Sequence, residues 1–359
     1  MKDMKATPAL VVDEAVVRKN IEYMGARASQ YGLGLRPHIK THKTLEVAAM
    51  QVEAGAAGIT CAKVSEAEVY AEAGFEDIFL AYPVVGGPQL ARMERILKRC
   101  SLSVAFDSLV GAERLDELGQ RTGRPVEAVM IVNSGGGRDG VASVDAAAAL
   151  GRQVRQLDHL NVIGVMTHEG HAYKAANPSD IFAMAESIGR IVVDAAENLR
   201  HLGFDIRRVS TGATPTCWLA PPAEGVTEWR PGTYIYNDVQ EWQLGIPLEN
   251  CALRVQAMVV SQPAPGRFII DAGAKTLSQA QHPDWGLGMV NAPGDGRVVS
   301  ATEEHGIVEA EEGQFRIGDV LEIVPIHVCT AVNLHDWVWV KRDSGRCDHW
   351  NVAARGCVV

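Results

Sequence analysis

No stretch of this 359-residue chain is apolar for long enough to cross a bilayer, and its start, Met1-Lys2-Asp3-Met4-Lys5, lacks the apolar core of a signal peptide. Excess positive charge is missing too. A net charge of -10 weighs against nucleic acid or an anionic membrane as the main partner, and favours solubility. Nor is there a disulfide framework. The seven cysteines, an odd number, stand at 61, 100, 217, 251, 329, 347 and 357 without regular spacing, which suits reduced thiols in a cytoplasm. Cys-x-x-Cys, internal repeats, low-complexity tracts and long linkers are all absent from the sequence. What is present is core material: 47% of residues are hydrophobic and 22% charged, a normal globular balance. The length exceeds what one core usually supports, so the expectation is two domains, or one large barrel with an appendage.

Strand-like and helix-like segments alternate through the first two-thirds. A short apolar piece at 9–12 precedes an amphipathic helix over 14–30. Apolar strand-like runs follow at 35–39, 58–62, 78–82, 103–107, 127–133, 161–167, 207–211 and 232–236, with helical patterns at 64–73, 88–99, 109–120, 144–157 and 178–203. Short apolar strands separated by helices pair in parallel. Eight such units suggest a closed (β/α)8 TIM-type barrel, with an open doubly wound sheet as the alternative that the count leaves open. From about 250 the rhythm changes. Strand-like runs at 253–260, 267–270, 297–300 and 320–324 are divided by Gly/Pro turns at 263–266 and 293–296, a pattern that predicts a mostly antiparallel β domain. The expected division is a barrel over 14–245 and a β domain over 246–359, joined by 1–13.

Chemistry concentrates in a few places. Arg36-Pro37-His38-Ile39-Lys40-Thr41-His42-Lys43 places Lys40 past an apolar run and among cationic and titratable neighbours. Nearby positive charge disfavours an ammonium, and an unprotonated lysine forms Schiff bases with carbonyls. A basic, phosphate-binding or merely solvated turn is the plainer reading. On a barrel, Lys40 falls at the C-terminal end of the first strand, the rim where barrel enzymes do their chemistry. His327 and Cys329 follow a strand at i, i+2, so in an extended chain they share a face as half of a tetrahedral metal site; a buried cysteine beside a hydrogen-bonded histidine is the alternative. Thr167-His168-Glu169-Gly170-His171-Ala172-Tyr173, beyond the sixth strand, offers candidate general bases. Gly135-Gly136-Gly137-Arg138 puts a cation at the same rim, to anchor a ligand oxygen or to cap a helix. Ser210-Thr211-Gly212-Ala213-Thr214 and Arg230-Pro231-Gly232-Thr233-Tyr234 lie by the seventh and eighth strands, where barrels often hold a phosphate.

Taken together, these segments resemble the D-threonine aldolase and D-serine dehydratase family, a branch of the alanine-racemase-like (fold type III) pyridoxal phosphate enzymes. The resemblance runs in order through Thr7-Pro8-Ala9-Leu10-Val11-Val12-Asp13, the Lys40 segment, the Arg138 turn, Glu169-Gly170-His171, Arg230-Pro231-Gly232-x-Tyr234, Asp271-Ala272-Gly273-x-Lys275, Glu303-Glu304-His305-Gly306 and Pro325-Ile326-His327-Val328-Cys329. It implies that Lys40 carries pyridoxal 5'-phosphate and that His38, Arg138, Tyr173, Thr211, Gly212, Ala213 and Tyr234 contact it. It further implies that His327 and Cys329 hold a divalent metal (zinc, manganese or cobalt), with His171 or His168 as base. A small D-amino acid substrate and a homodimer with active sites at its interface are also implied. The His-x-Cys pair is like that of the dehydratases, since well-known aldolases carry His-x-Asp. Glu169-Gly170-His171 and Cys329-Thr330-Ala331-Val332-Asn333-Leu334 are closer to aldolase-like members, and the aldolase is the preferred reading. A non-catalytic pyridoxal phosphate carrier would resemble the barrel alone. A racemase would need a second base, typically a tyrosine of the β domain, and none is evident.

Overall fold

A computed structural model describes residues 6–175, 177–291, 294–342, 344–345 and 347–359; Met1 to Lys5 and Pro293 of the expected turn lie outside the described residues. The chain forms two compact units. One comprises residues 23–40, 48–232 and 357–359, the other residues 1–22, 41–47 and 233–356. The division at 232/233 falls before the expected boundary, and residues 41–47 count with the β unit. Strand β1 (Ala9–Asp13) runs into the helix Glu14–Gln30, whose bounds are those expected from its pattern.

The barrel unit contains, among the described residues, the parallel strands β2 (Gly34–Leu35), β3 (Ile59–Cys61), β4 (Asp77–Leu80), β5 (Ser101–Phe106), β6 (Val126–Ile131), β7 (Leu160–Met166), β8 (Arg208–Thr211) and β9 (Glu228–Trp229). They are ordered β2-β9-β8-β7-β6-β5-β4-β3. A parallel bridge between His38 and Thr60, with Thr60 N–H donating to Pro37 O, brings the chain after β2 against β3 and closes the ring. Central strands are buried on both faces, as parallel strands covered by helices must be. Phe79, Ala105, Val129, Ile131, Ile163 and Met166 pack as one cluster. The helices begin where short polar side chains cap them: Ser108 accepts from Gly111 N–H, Ser143 from Ala146 N–H and Asn177 from Asp180 N–H.

The eighth strand corrects the sequence reading. It is Glu228–Trp229, and 233–235 form a 3-10 turn. Arg230 N–H still bonds Thr211 O at 3.0 Å, but Pro231 has no N–H with which to continue the ladder.

Buried charge also organises this unit. Arg36 Nε meets Glu228 at 2.9 Å, its Nη1 and Nη2 meet Asp77 at 2.7 and 3.1 Å, and Arg208 Nε lies 3.5 Å from Glu228. Gly58 makes room for this network, because a Cβ there would collide with the Arg36 guanidinium. Burial raises the Glu228 carboxyl, but Arg208 and Arg36 outweigh it and hold the group below its ordinary value. Such stability is complete above the ordinary carboxylate range and is lost as pH falls through the depressed value. Glu228→Gln leaves Arg36 and Arg208 without their shared anion. The expected loss is about 3 kcal/mol in urea unfolding at neutral pH, shrinking in acid as the wild type itself loses the pair.

The β unit is a mixed sheet ordered β11-β14-β13-β12-β15-β10-β1-β16-β17. Its strands are β10 (Leu253–Ala264), β11 (Arg267–Ile270), β12 (Gly288–Val290), β13 (Arg297–Ala301), β14 (Gly306–Glu309), β15 (Val320–Pro325), β16 (Trp337–Lys341) and β17 (Cys347–Asn351), together with β1. β11 pairs with both β14 and β10, so the strands from β10 to β15 curl back on themselves. β1 adds antiparallel to β10 and parallel to β16. Val239, Cys251, Met289, Val324 and Ile326 form a buried cluster. Among the described residues no helix is long and apolar enough to cross a membrane, and no disulfide joins the cysteines.

Candidate active site

In the barrel unit, Lys40 lies in a 3-10 turn, Ile39–Thr41, rather than at the end of a strand. The turn is held by fully buried Ile39 and by His38, whose N–H donates to Pro231 O at 3.0 Å. His38 is pushed well below its ordinary value, first by burial and then by the charges of Lys40, Arg230, His168 and Arg138. His168 falls to about 3 through burial, Lys40, Arg138, Arg230 and His171. Both imidazoles are therefore neutral at physiological pH, in a place already crowded with cations. Arg230 is itself buried, with Nε 2.7 Å from Ser210 Oγ and Nη2 2.5 Å from Thr167 O. Arg138, half-exposed, forms a two-bonded pair with Asp139 at 3.0 and 3.1 Å. Beside His168 and Arg138 opens a cavity of about 180 Å³, lined also by Asn133, Ser134, His171 and Lys174 among others. His171 Nδ1 is buried without a hydrogen-bond partner among the described residues. Tyr173 sits half-buried in the 3-10 turn Gly170–Lys174 beside it. A lysine and two arginines whose charges keep two nearby imidazoles neutral fit an anionic aldehyde cofactor such as pyridoxal phosphate.

The seventh-strand turn differs from expectation. Gly212 N–H donates to Glu169 Oε1 at 2.9 Å and Ala213 N–H to Oε2 at 3.1 Å, while Thr216 Oγ1 also donates to this carboxylate. Those two amides are thus given to a buried protein anion instead of facing a ligand. Thr211, buried at the end of β8, gives its carbonyl to Arg230 N–H. Gly212 has φ +122, and a Cβ there would lie 2.7 Å from Arg230 N, so the turn requires glycine.

In the β unit, the geometry of the His327/Cys329 pair also differs from that expected. His327 has extended backbone at the N-cap position of the helix Val328–Val332, so Cys329 stands in a first helical turn and not on a strand. The side chains nevertheless meet. Burial opposes the charged form of His327, but the Cys329 thiolate and the Asp238 carboxylate outweigh it and push the imidazole up to about 11. Thr41 Oγ1 lies 3.2 Å and Thr233 Oγ1 3.9 Å from Cys329 Sγ. An imidazole held in its charged form between a thiolate and a carboxylate marks a place built for a cation. A divalent ion there fits the donor set, displacing the proton. Among the described residues no group of three or more His, Cys, Asp or Glu side chains is arranged to hold a metal, so an ion would complete its shell from water or substrate. Lys43, with φ 53, bonds Asn333 Oδ1 at 2.7 Å and so ties residues 41–47 to the chain just after the Cys329 helix. Tyr234 is fully buried in the 3-10 turn Thr233–Ile235. Arg230, Thr41 and Asp238 were not singled out as site residues by the sequence reading, and Glu169 only as one of several candidate bases in its loop. Of the four, Asp238 alone lay outside the quoted motifs.

Barrel, lysine turn and imidazole–thiol pair define an alanine-racemase-like protein with an added β unit. Residues 12–239 match the alanine racemase N-terminal domain, and residues 252–341 match the putative serine dehydratase domain. The D-threonine aldolase of Arthrobacter sp. is 33% identical over 356 residues, covering 98% of this chain and 93% of that protein. The D-threo-3-hydroxyaspartate dehydratase of Delftia sp. strain HT23 is 35% identical over 350 residues, covering 90% and 91%. Its solved structure superposes with a TM-score of 0.90 over 97% of each chain at 33% identity, as does that of a cysteine-to-alanine mutant in a metal-free form. The chain belongs to the D-threonine aldolase and D-serine dehydratase family of fold type III pyridoxal phosphate enzymes.

Replacing Glu169 with Ala strands the Gly212 and Ala213 amides. Thermal unfolding should show a loss of about 1–3 kcal/mol, with Glu169→Gln, which keeps one acceptor oxygen, losing less.

Proposed function

We propose that the protein is a pyridoxal phosphate- and metal-dependent lyase of D-3-hydroxy amino acids, cleaving them between Cα and Cβ to glycine and an aldehyde. The observation that carries this reading is that Thr41, peptide-bonded to Lys40, has its hydroxyl 3.2 Å from the Cys329 sulfur. When bound, pyridoxal phosphate supplies an electron sink for the bond broken at Cα, and the metal supplies a Lewis acid toward the β-hydroxyl oxygen.

The chain's own residues do the rest. Lys40 would provide the amine that holds the cofactor. Arg138 and the neutral His38 and His168 give the cofactor polar contacts, with Tyr173, Thr211 and Tyr234 as further contacts. His171 removes the hydroxyl proton. Its unpaired Nδ1 favours it over His168, whose value of about 3 makes a poor acceptor. His327 and Cys329 orient the ion.

A dehydratase is the second reading, and the His-x-Cys pair with the similarity to the Delftia enzyme supports it. There Lys40 would take the Cα proton and the β-hydroxyl would leave as water, and the enamine released would be hydrolysed by water to a keto acid and ammonia. The proposal includes a homodimer in the cytoplasm, its size measurable by sedimentation.

Incubation with D-threonine, D-phenylserine and D-serine plus added metals separates the readings. Glycine plus aldehyde is the expected product; keto acid plus ammonia overturns the aldolase in favour of the dehydratase. Loss of cofactor absorbance in Lys40→Ala accompanies either. For His171→Ala, kcat on D-threonine should fall about 10²–10⁴-fold while cofactor absorbance persists; an unchanged rate removes His171 as the base.

A further inference from the structure

Behind His327 lies a buried carboxylate that the reading above does not use. Asp238 is fully buried. One oxygen, Oδ1, caps the helix Val239–Gln243, accepting from Gln240 N–H at 3.0 Å and Glu241 N–H at 3.4 Å. A five-residue helix needs no more than that. The second oxygen is aimed elsewhere: Oδ2 accepts from Val328 N–H at 2.9 Å and lies 3.3 Å from His327 Nδ1. Val328 is the residue between the two proposed metal ligands. A single oxygen therefore fixes the backbone that aims Cys329 and faces the His327 ring at ion-pair distance, where Nδ1 is buried with no hydrogen-bond partner among the described residues. Glu241, also fully buried, hydrogen-bonds to Asp238 from the other side.

We infer that Asp238 is the positioning residue of the metal pair. It holds the His327 proton on Nδ1 so that Nε2 is presented to the ion, and it sets the first turn of the helix that carries Cys329. The inference rests on the reading of His327 and Cys329 as metal ligands. In metal sites, a carboxylate behind a ligating imidazole fixes ring orientation and tautomer and raises ligand basicity.

The test uses the full chain, stripped of metal and titrated with Zn²⁺ against a chromophoric chelator, and with Co²⁺ to read the thiolate–cobalt absorption. Asp238→Asn keeps an oxygen for the helix cap but turns an amide toward His327. Asp238→Ser also caps, and is too short to reach the ring; it serves if the first variant fails to fold. Zn²⁺ affinity is expected to fall about 10–100-fold in either variant, beside an altered Co²⁺ spectrum. Thermal unfolding of the metal-free proteins reports the capping role separately. Wild-type affinity in both Asp238 variants, with binding lost in His327→Ala, overturns the inference and leaves the metal pair standing. Wild-type affinity in His327→Ala overturns the metal-pair reading and the inference with it.

Discussion

Charge taken out of water must be answered by charge or by loss of the proton, and that constraint governs each unit of this protein. In the barrel, Arg36 and Arg208 are answered by Glu228. Around Lys40 the balance is different: Arg230 and Arg138 add positive charge, and His38 and His168 respond by giving up theirs. The β unit solves the same problem in the opposite sense, with an imidazole that keeps its proton between a thiolate and a carboxylate. One locale asks for an anion and the other for a cation. Those are the two demands that a phosphorylated aldehyde and a divalent metal meet.

Much of the architecture was legible in the sequence because its signals are local. The helix Glu14–Gln30 and the alternation of buried strands with capped helices follow from periodicity and from Ser or Asn at helix starts. Legibility failed where two-residue strands carry the fold. Thr233-Tyr234-Ile235-Tyr236 is richer in β-favouring residues than Glu228-Trp229, yet proline at 231 ends the ladder before it. Strands β12, β14, β16 and β17 also went unread, being three to five residues long and so too short for an alternating pattern to register.

The site divides along the same line. Lys40, His327 and Cys329 stood out because their residue types are reactive and their neighbours in sequence are unusual. Their supports did not. Asp238 meets Val328 across 90 residues, and Glu169 meets Gly212 across 43, and no spacing rule links such pairs. The turn after β8 shows the effect most clearly. Read alone, Thr211-Gly212-Ala213 is a plausible phosphate loop; folded, its amides are engaged by a carboxylate from the preceding strand's loop.

That engagement has a consequence for how a small molecule would be received. A glycine-containing turn left to itself samples many shapes, and whatever binds it must first quench that freedom. Here the buried Glu169 oxygens hold the turn in one shape without any guest. The barrel rim is accordingly set at this corner, and any molecule received there must match its contour instead of reshaping it.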